Sequence, residues 1–359
     1  MQFEDFIHSL SVKGESIIPS SSALSLYAGQ SQSILELYST VDYVELIREG
    51  FSYSFLQHPL WDVFFELPET IICYKTVTRT QLKRIRYNHP VSQSLPSFSL
   101  QLPAGTYFDP AGTRFNLKYE KEAGTIKTSS LYYYLKYLLI SAELKEYHIT
   151  VHYTPLNKPS DPHDIEWTLF NLLLTHKKTA FFVEQLVQSN VLFKFFPQLE
   201  VLGQIDQDKD YHPEGNVLEH TTACFQHFKR PSLTLSLATL FHDIGKAYSS
   251  GEVKNKPFYK HSSMSAVQVK KALRQDIYSQ QVRDNVQYLV RYHMYPPFLF
   301  YRSPKTIERI TGHQGFGELL KLYRADLLST GQDNDAYQKV LRQYKEYKKN
   351  TAGYLHALD

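Results

Sequence analysis

Cysteine is nearly absent: the 359 residues contain two, Cys73 and Cys224. Two distant cysteines make no disulfide framework, so a reducing, cytoplasmic setting is the expectation. Long apolar runs are missing too. None approaches the ~18 residues that span a bilayer, which leaves a soluble chain with no membrane partner as the expectation. The opening Met1-Gln2-Phe3-Glu4-Asp5 is acidic where a signal peptide is basic. Charge of one sign is scarce as well. A net charge of +3 falls short of the clustered Lys and Arg that phosphate contacts need, and by itself it neither supports nor excludes RNA. Repeats and low-complexity tracts are lacking. What is present is 42% hydrophobic residues, enough for a sizeable core, and a length that at roughly 100–200 residues per domain implies two domains.

The first 160 residues mix Ser-rich turns with short β-like runs. Residues 98–102 and 114–119 alternate with period 2, the pattern of half-buried strands. Ala104-Gly105-Thr106 and Ala111-Gly112-Thr113 flank Tyr107-Phe108-Asp109-Pro110, which makes the connection a turn-rich loop or a decorated hairpin. Residues 131–140 are apolar nearly all round and predict a buried helix, whose tyrosines at helical spacing are core residues before they are base-stacking platforms. An α+β domain over 1–160 follows. Pro159 and Pro162 in a polar setting mark its end.

Beyond that point the pattern is helical. Apolar stripes over 166–174 and 179–187 and the run 192–196, stopped by Pro197, predict a helical connector over 161–205. An all-α bundle is expected over 206–330. A basic helix or tail closes the chain over 331–359, where Lys339, Arg342, Lys345, Lys348 and Lys349 interleave with tyrosines. Such a helix contacts RNA in some proteins and is a solvated terminal helix in others.

The chemistry concentrates in Thr239-Leu240-Phe241-His242-Asp243-Ile244-Gly245-Lys246. Residues 231–238 predict a buried helix with Pro231 in its first turn, and Gly245 is expected just past the last turn. The helix ends by presenting His242 and Asp243 side by side. Imidazole and carboxylate suit first-row divalent ions, and a carboxylate can bridge two of them. Partners exist on other helices: His220 in Asn216-Val217-Leu218-Glu219-His220, His261 opening a helix after Lys260, His293 closing one after Tyr292, and Asp326 within Arg324-Ala325-Asp326. Facing helices of a bundle can bring such side chains to one ion. Taken singly, each has an ordinary alternative as a helix-end or core polar residue.

The order His, His-Asp, His, His, Asp on successive apolar helices resembles the HD phosphohydrolase superfamily, and His242-Asp243-Ile244-Gly245-Lys246 resembles its HDIG subgroup. Residues 211–221, 289–294 and 324–326, with the preceding Phe195-Phe196-Pro197-Gln198-Leu199, resemble the HD domain of bacterial tRNA nucleotidyltransferases of the poly(A)-polymerase type. The match covers about 164–330. It implies an HD-type helical bundle in which His220, His242, Asp243 and Asp326 hold one divalent ion. His261 and His293 complete a second site, Asp243 bridges, and Lys246 faces substrate phosphate. The family often has Gly-His-Glu where this chain has Lys260-His261-Ser262.

The nucleotidyltransferase half of that resemblance is missing. Transfer needs a small-residue turn for the triphosphate, then carboxylates two apart on a strand for two Mg ions. The first 160 residues contain no Gly-Gly or Gly-Ser pair followed by Asp-x-Asp; Glu120-Lys121-Glu122 is interrupted by a lysine, and Asp206-Gln207-Asp208 comes too late. The expectation is therefore a metal-dependent phosphohydrolase, a phosphodiesterase or nucleotidase. It would act on a nucleotide or RNA-end phosphoester through a metal-activated water, with one or two Mn, Ni, Fe, Zn or Mg ions as cofactor. Asp243 and Lys246 are the expected catalytic residues, and Lys246 also binds substrate. The alternatives are a non-catalytic nucleotide- or RNA-binding module and a divergent tRNA nucleotidyltransferase.

Overall fold

The computed structural model describes residues 2–19, 22–23, 26, 34–55, 58, 60–68, 70–87, 99–102, 104–108, 125–143, 149–155, 161–207, 215–249 and 260–355. The chain forms two compact units, Met1–Leu172 and Leu173–Asp359. The expected strand over 114–119, the acidic triplet 120–122, most of the 156–162 boundary, Asp208 and the turn 211–214 lie outside the described residues.

The first unit is α+β. It contains helices α1 (Phe3–Lys13), α2 (Tyr43–Arg48), α3 (Arg79–Tyr87) and α4 (Leu131–Glu143). Its strands are β1 (Ser16–Pro19), β2 (Ile34–Ser39), β3 (Tyr53–Ser54), β4 (Val63–Glu66), β5 (Ile71–Thr76), β6 (Ser99–Leu102), β7 (Thr106–Phe108), β8 (Thr125–Thr128) and β9 (Thr150–Tyr153). Seven strands form one mixed sheet in the order β3-β4-β5-β2-β1-β6-β7, with β2 and β5 parallel, and β8 and β9 pair in parallel as a second sheet. All six residues of β2 are buried, the mark of a central strand covered on both faces. The buried Glu36 on it is neutralised by Lys136 from α4 at 2.6 Å, and the Tyr132 hydroxyl donates to the same carboxylate at 3.0 Å. The tyrosines of α4 are thus core residues, with Tyr132, Tyr133 and Tyr134 all buried.

The second unit is helical. The division falls within α5 (Asp164–Thr175), after which come α6 (Thr179–Gln188) and α7 (Leu192–Phe195), then a 3₁₀ stretch Pro197–Gln204. The helices that follow are α8 (Val217–Cys224), α9 (Leu233–Phe241), α10 (His261–Ala272), α11 (Gln280–Tyr292), α12 (Pro304–Thr311), α13 (Phe316–Ser329) and α14 (Asp335–Leu355). An α+β part followed by an all-helical part is the architecture expected from the sequence. Among the described residues no helix is long and apolar enough to cross a membrane.

Helix α9 is the hub of this unit: every residue from Leu235 to Phe241 is buried, and the Phe241 ring meets that of Phe196 edge-on with centroids 4.9 Å apart. One local expectation needs correction. Pro231 precedes the cap instead of opening the helix, because Ser232 caps α9 by accepting from the Leu235 amide at 3.1 Å. Gly245 falls past the last turn of α9, as expected, and lies within a 3₁₀ turn, Ile244–Tyr248. What its position requires is closeness to α10. A Cβ on Gly245 would collide with the His261 carbonyl oxygen and the Ser265 amide, and the Gly245 amide donates to Ser265 Oγ at 2.7 Å.

Candidate metal centre

Local structure places each donor. Asn216 caps α8 through a reciprocal pair: its side chain accepts from the Glu219 amide, and its amide donates to the Glu219 carboxylate, each at 3.0 Å. His220 follows one turn later, fully buried. His242 and Asp243 leave the end of α9, His261 opens α10, His293 follows α11 directly, and Asp326 comes from the middle of α13. The Nε2 atoms of His220 and His242 lie 3.3 Å apart, and His220 Nε2 is 3.0 Å from Asp326 Oδ1. Asp243 reaches two ways. Its Oδ2 is 3.4 Å from His242 Nε2 and 3.9 Å from His220 Nε2, while its Oδ1 is 3.2 Å from His261 Nε2 and 3.7 Å from His293 Nε2. His261 and His293 face each other at 3.2 Å. All six residues singled out in the sequence come together.

The ring orientations follow from the outer contacts. His242 Nδ1 lies 2.8 Å from the Thr239 carbonyl and His293 Nδ1 2.7 Å from that of Val290; a carbonyl only accepts, so both nitrogens carry the proton. Ser329 spends its hydroxyl proton on the Asp326 carbonyl at 2.7 Å and so accepts from His220 Nδ1 at 3.2 Å. The neutral rings of His220, His242 and His293 therefore aim Nε2 lone pairs inward, the outer-shell arrangement of metal-ligating histidines. The charge states agree. Burial pulls His242 below the ordinary imidazole value and His293 down to about 3. Burial alone would raise Asp243, but Lys246, His242 and His261 hold it well below the usual carboxylate range; Asp326, beside His220, is likewise lowered against burial. Neutral imidazoles beside ionised carboxylates are the protonation states that metal binding requires.

The donor set fits a divalent ion. Nitrogens about 2.05 Å from a tetrahedral ion stand about 3.3 Å apart, the spacing of His220 and His242. Two groups of donors have ligand atoms within 4.8 Å of one another: His220, Cys224, His242 and Asp326, and Asp243, His261 and His293. Cys224 was missed in reading the sequence, although its spacing four residues after His220 puts both on one helix face. Gln207 was missed too. Its Oε1 accepts from Lys246 Nζ at 2.5 Å while Lys246 also meets Asp243 Oδ2 at 2.7 Å, so the buried ammonium is fixed beside the cluster. Lys260 adopts a left-handed conformation, φ 65°, immediately before His261; the position suits the glycine that the family pattern has there.

The first unit offers no comparable centre on its central strand. Glu36 is flanked at two-residue spacing by Ile34 and Tyr38, and no described strand carries two carboxylates two positions apart.

A carboxylate held between two groups of imidazoles in a helical bundle defines the class: a helical domain with donor groups that could hold divalent metal. Residues 216–311 match the family model described as "HD domain". They include every donor named above except Asp326. A protein of Alkalilimnicola ehrlichii named multifunctional CCA protein is 29% identical over 137 residues, 37% of this chain and 32% of the relative. The match thus spans about a third of that relative's length. Two solved structures share the fold. A CCA-adding enzyme with ATP has TM-score 0.51 and 11% identity, covering 97% of this chain and 81% of the other. A tRNA-processing enzyme with CTP has TM-score 0.50 and 12% identity, covering 97% and 96%.

Proposed function

We propose that the chain is a metal-dependent phosphohydrolase acting through its HD domain on a nucleotide or RNA-end phosphoester. The observation that carries this reading is the convergence of inward-facing imidazole lone pairs and two ionised carboxylates beside a buried lysine. His220, His242, Asp326 and Asp243 Oδ2 would hold one ion; Asp243 Oδ1, His261 and His293 would hold a second. A divalent ion supplies Lewis acidity there, activating water for attack on phosphorus and offsetting charge on the phosphoryl oxygens. The protein contributes a preorganised, largely dry cradle. Lys246, held by Asp243 and Gln207, sets a positive charge where a phosphoryl oxygen gains negative charge, and needs no reorganisation as it does so.

RNA ends enter through the relatives, whose names speak of CCA, CCA addition and tRNA processing. The first unit would govern substrate access. Nucleotidyl transfer by that unit has no support from β2, whose carboxylate is engaged by Lys136, and labelled ATP or CTP is not expected to enter tRNA.

The test pairs elemental analysis with cleavage of bis(nitrophenyl) phosphate in added Mn or Ni. Asp243→Ala is expected to lose activity by about a hundredfold or more, the scale on which removal of one preorganised charge acts, and to bind less metal, with its circular dichroism unchanged. Full activity in a folded Asp243→Ala protein ends the proposal.

A further inference from the structure

We infer that Cys224 is a thiolate ligand of the ion held by His220, His242 and Asp326, and that it tunes this centre toward softer first-row metals. The inference rests on the metal reading above and goes beyond it, since the resemblance by which the other donors were recognised includes no cysteine.

The argument begins on α8. Residues four apart share a helix face, so Cys224 projects where His220 projects, into the space between α8, the end of α9 and α13. Its Sγ lies 4.0 Å from His220 Nε2, with ligand atoms of His242 and Asp326 in the same 4.8 Å cluster. A nitrogen and a sulfur on one tetrahedral ion, at about 2.05 and 2.3 Å, are about 3.6 Å apart. The observed distance exceeds this by a few tenths of an ångström, within the reach of a small change in side-chain torsion. The side chain is fully buried, so nothing from solvent competes for the position.

Ser329 ties the donors together. Its Oγ is 3.2 Å from His220 Nδ1, 3.4 Å from Cys224 Sγ and 2.7 Å from the Asp326 carbonyl. One hydroxyl, anchored on the backbone of α13, therefore meets the side chains of both His220 and Cys224. Asp243 Oδ2, which also meets Lys246 at 2.7 Å, lies 3.9 Å from His220 Nε2, about as far as Cys224 Sγ at 4.0 Å, so the thiolate joins this ion as a further donor. When an ion binds, the thiol proton leaves to solvent and sulfur becomes an anionic donor. Thiolate prefers zinc, cobalt, nickel and iron to magnesium and manganese. A buried cysteine filling core space is the competing reading, and it predicts no electronic contact with metal.

The experiment is titration of the chelator-stripped full-length protein with Co(II) under anaerobic conditions, read by absorption. The expected result is visible d–d bands with a near-ultraviolet sulfur-to-cobalt charge-transfer band, the latter lost in Cys224→Ser and in Cys224→Asp while both variants still bind cobalt. Zinc affinity, measured by competition with a chromophoric chelator, is expected to fall at least about tenfold in Cys224→Ser, with manganese affinity changing little. Visible bands without the charge-transfer band in the unaltered protein overturn the cysteine assignment and leave the metal centre standing. No cobalt spectrum at all removes the metal reading and this inference together.

Discussion

The Nε2 atoms of His220 and His242 stand 3.3 Å apart with both Nδ1 protons directed outward. Two lone pairs face each other in a buried site, an arrangement that a cation stabilises and that its removal leaves electrostatically unfavourable. Metal is therefore expected to stabilise the helical unit. At a free concentration about a hundredfold above the dissociation constant, binding adds about 2.7 kcal/mol, which for a unit of this size raises Tm by roughly 5–10 °C. Differential scanning calorimetry of the stripped protein with and without Zn or Mn checks this. His242→Ala should abolish the shift, and an equal shift in that variant would show that the ion sits elsewhere.

Gly245 lies against α10 because a hydrogen is all that fits there. A methyl group at this position meets the His261 carbonyl and the Ser265 amide, both backbone atoms that cannot swing away. Gly245→Ala is expected to push α10 outward, at a cost of about 1–3 kcal/mol, and to separate His261 from Asp243. Elemental analysis should then find one ion per chain in place of two. Unchanged stoichiometry and melting would show that the contact is soft. Ser265→Ala, which loses only the hydrogen bond from Gly245, should cost about 1 kcal/mol and keep both ions.

The donors were readable from sequence because each sits at a helix terminus or on an apolar helix, where a polar residue interrupts an otherwise regular pattern. The order of His220, His242, Asp243, His261, His293 and Asp326 survives in one dimension. Ser329, Gln207 and Cys224 do not announce themselves that way. Serine and glutamine are ordinary in turns and helix ends, and their roles arise only where α13 or the 205–207 segment crosses the cluster. Cys224 carried the one usable signal, its four-residue spacing from His220. In the first unit the mixed sheet was legible only as a strand-rich region, because β2 is buried on both faces and shows no alternation. Its pairing with β5 depends on contacts far apart in sequence. The place of Gly245 was legible but its use was not: a glycine after a helix can serve as a left-handed cap or permit a close approach, and the neighbour that decides between them lies on α10.

His176 makes the helical unit sensitive to acid. Burial, with Lys177, Lys178 and Arg230 nearby, pushes its pKa down to about 4, and its Nδ1 accepts from the Lys178 amide at 3.1 Å, a bond that a proton on that nitrogen abolishes. The unfolded chain takes up this proton near pH 6.5 and the folded chain only near 4. Stability from the neutral ring is thus complete above about pH 6.5 and is lost progressively as pH falls toward 4. Because the ring is only half-buried, the loss is about 1–2 kcal/mol after allowance for solvent screening. Urea melts followed by circular dichroism at pH 7 and pH 5 should show the wild type losing more than His176→Asn, whose amide oxygen can still accept from Lys178. Parallel losses would remove His176 as the cause.

Lys136 and Glu36 give the first unit its own test. The pair is fully desolvated, with Nζ 2.6 Å from the carboxylate, and Tyr132 donates to the same group. Removing one partner strands a buried charge, which typically costs about 3–5 kcal/mol, whereas neutralising both is often close to harmless. Lys136→Met is therefore expected to lower the stability of this unit by about that amount. Adding Glu36→Gln should restore most of it, because the amide oxygen still accepts from Tyr132 while no charge is left behind. Trp61 lies in this unit while Trp167 is on α5, where the two units divide, so urea melts followed by Trp61 fluorescence in a Trp167→Phe background report on the first unit. If the lysine serves as an internal counter-cation for the carboxylate on β2, the double variant gains nothing from added Mg, and the phosphoester cleavage proposed for the helical unit is unchanged throughout the series. A magnesium-dependent rise in the melting point of Lys136→Met alone would be the expected sign that Glu36, once released, can take a metal ion, and its absence would show that the freed carboxylate binds none.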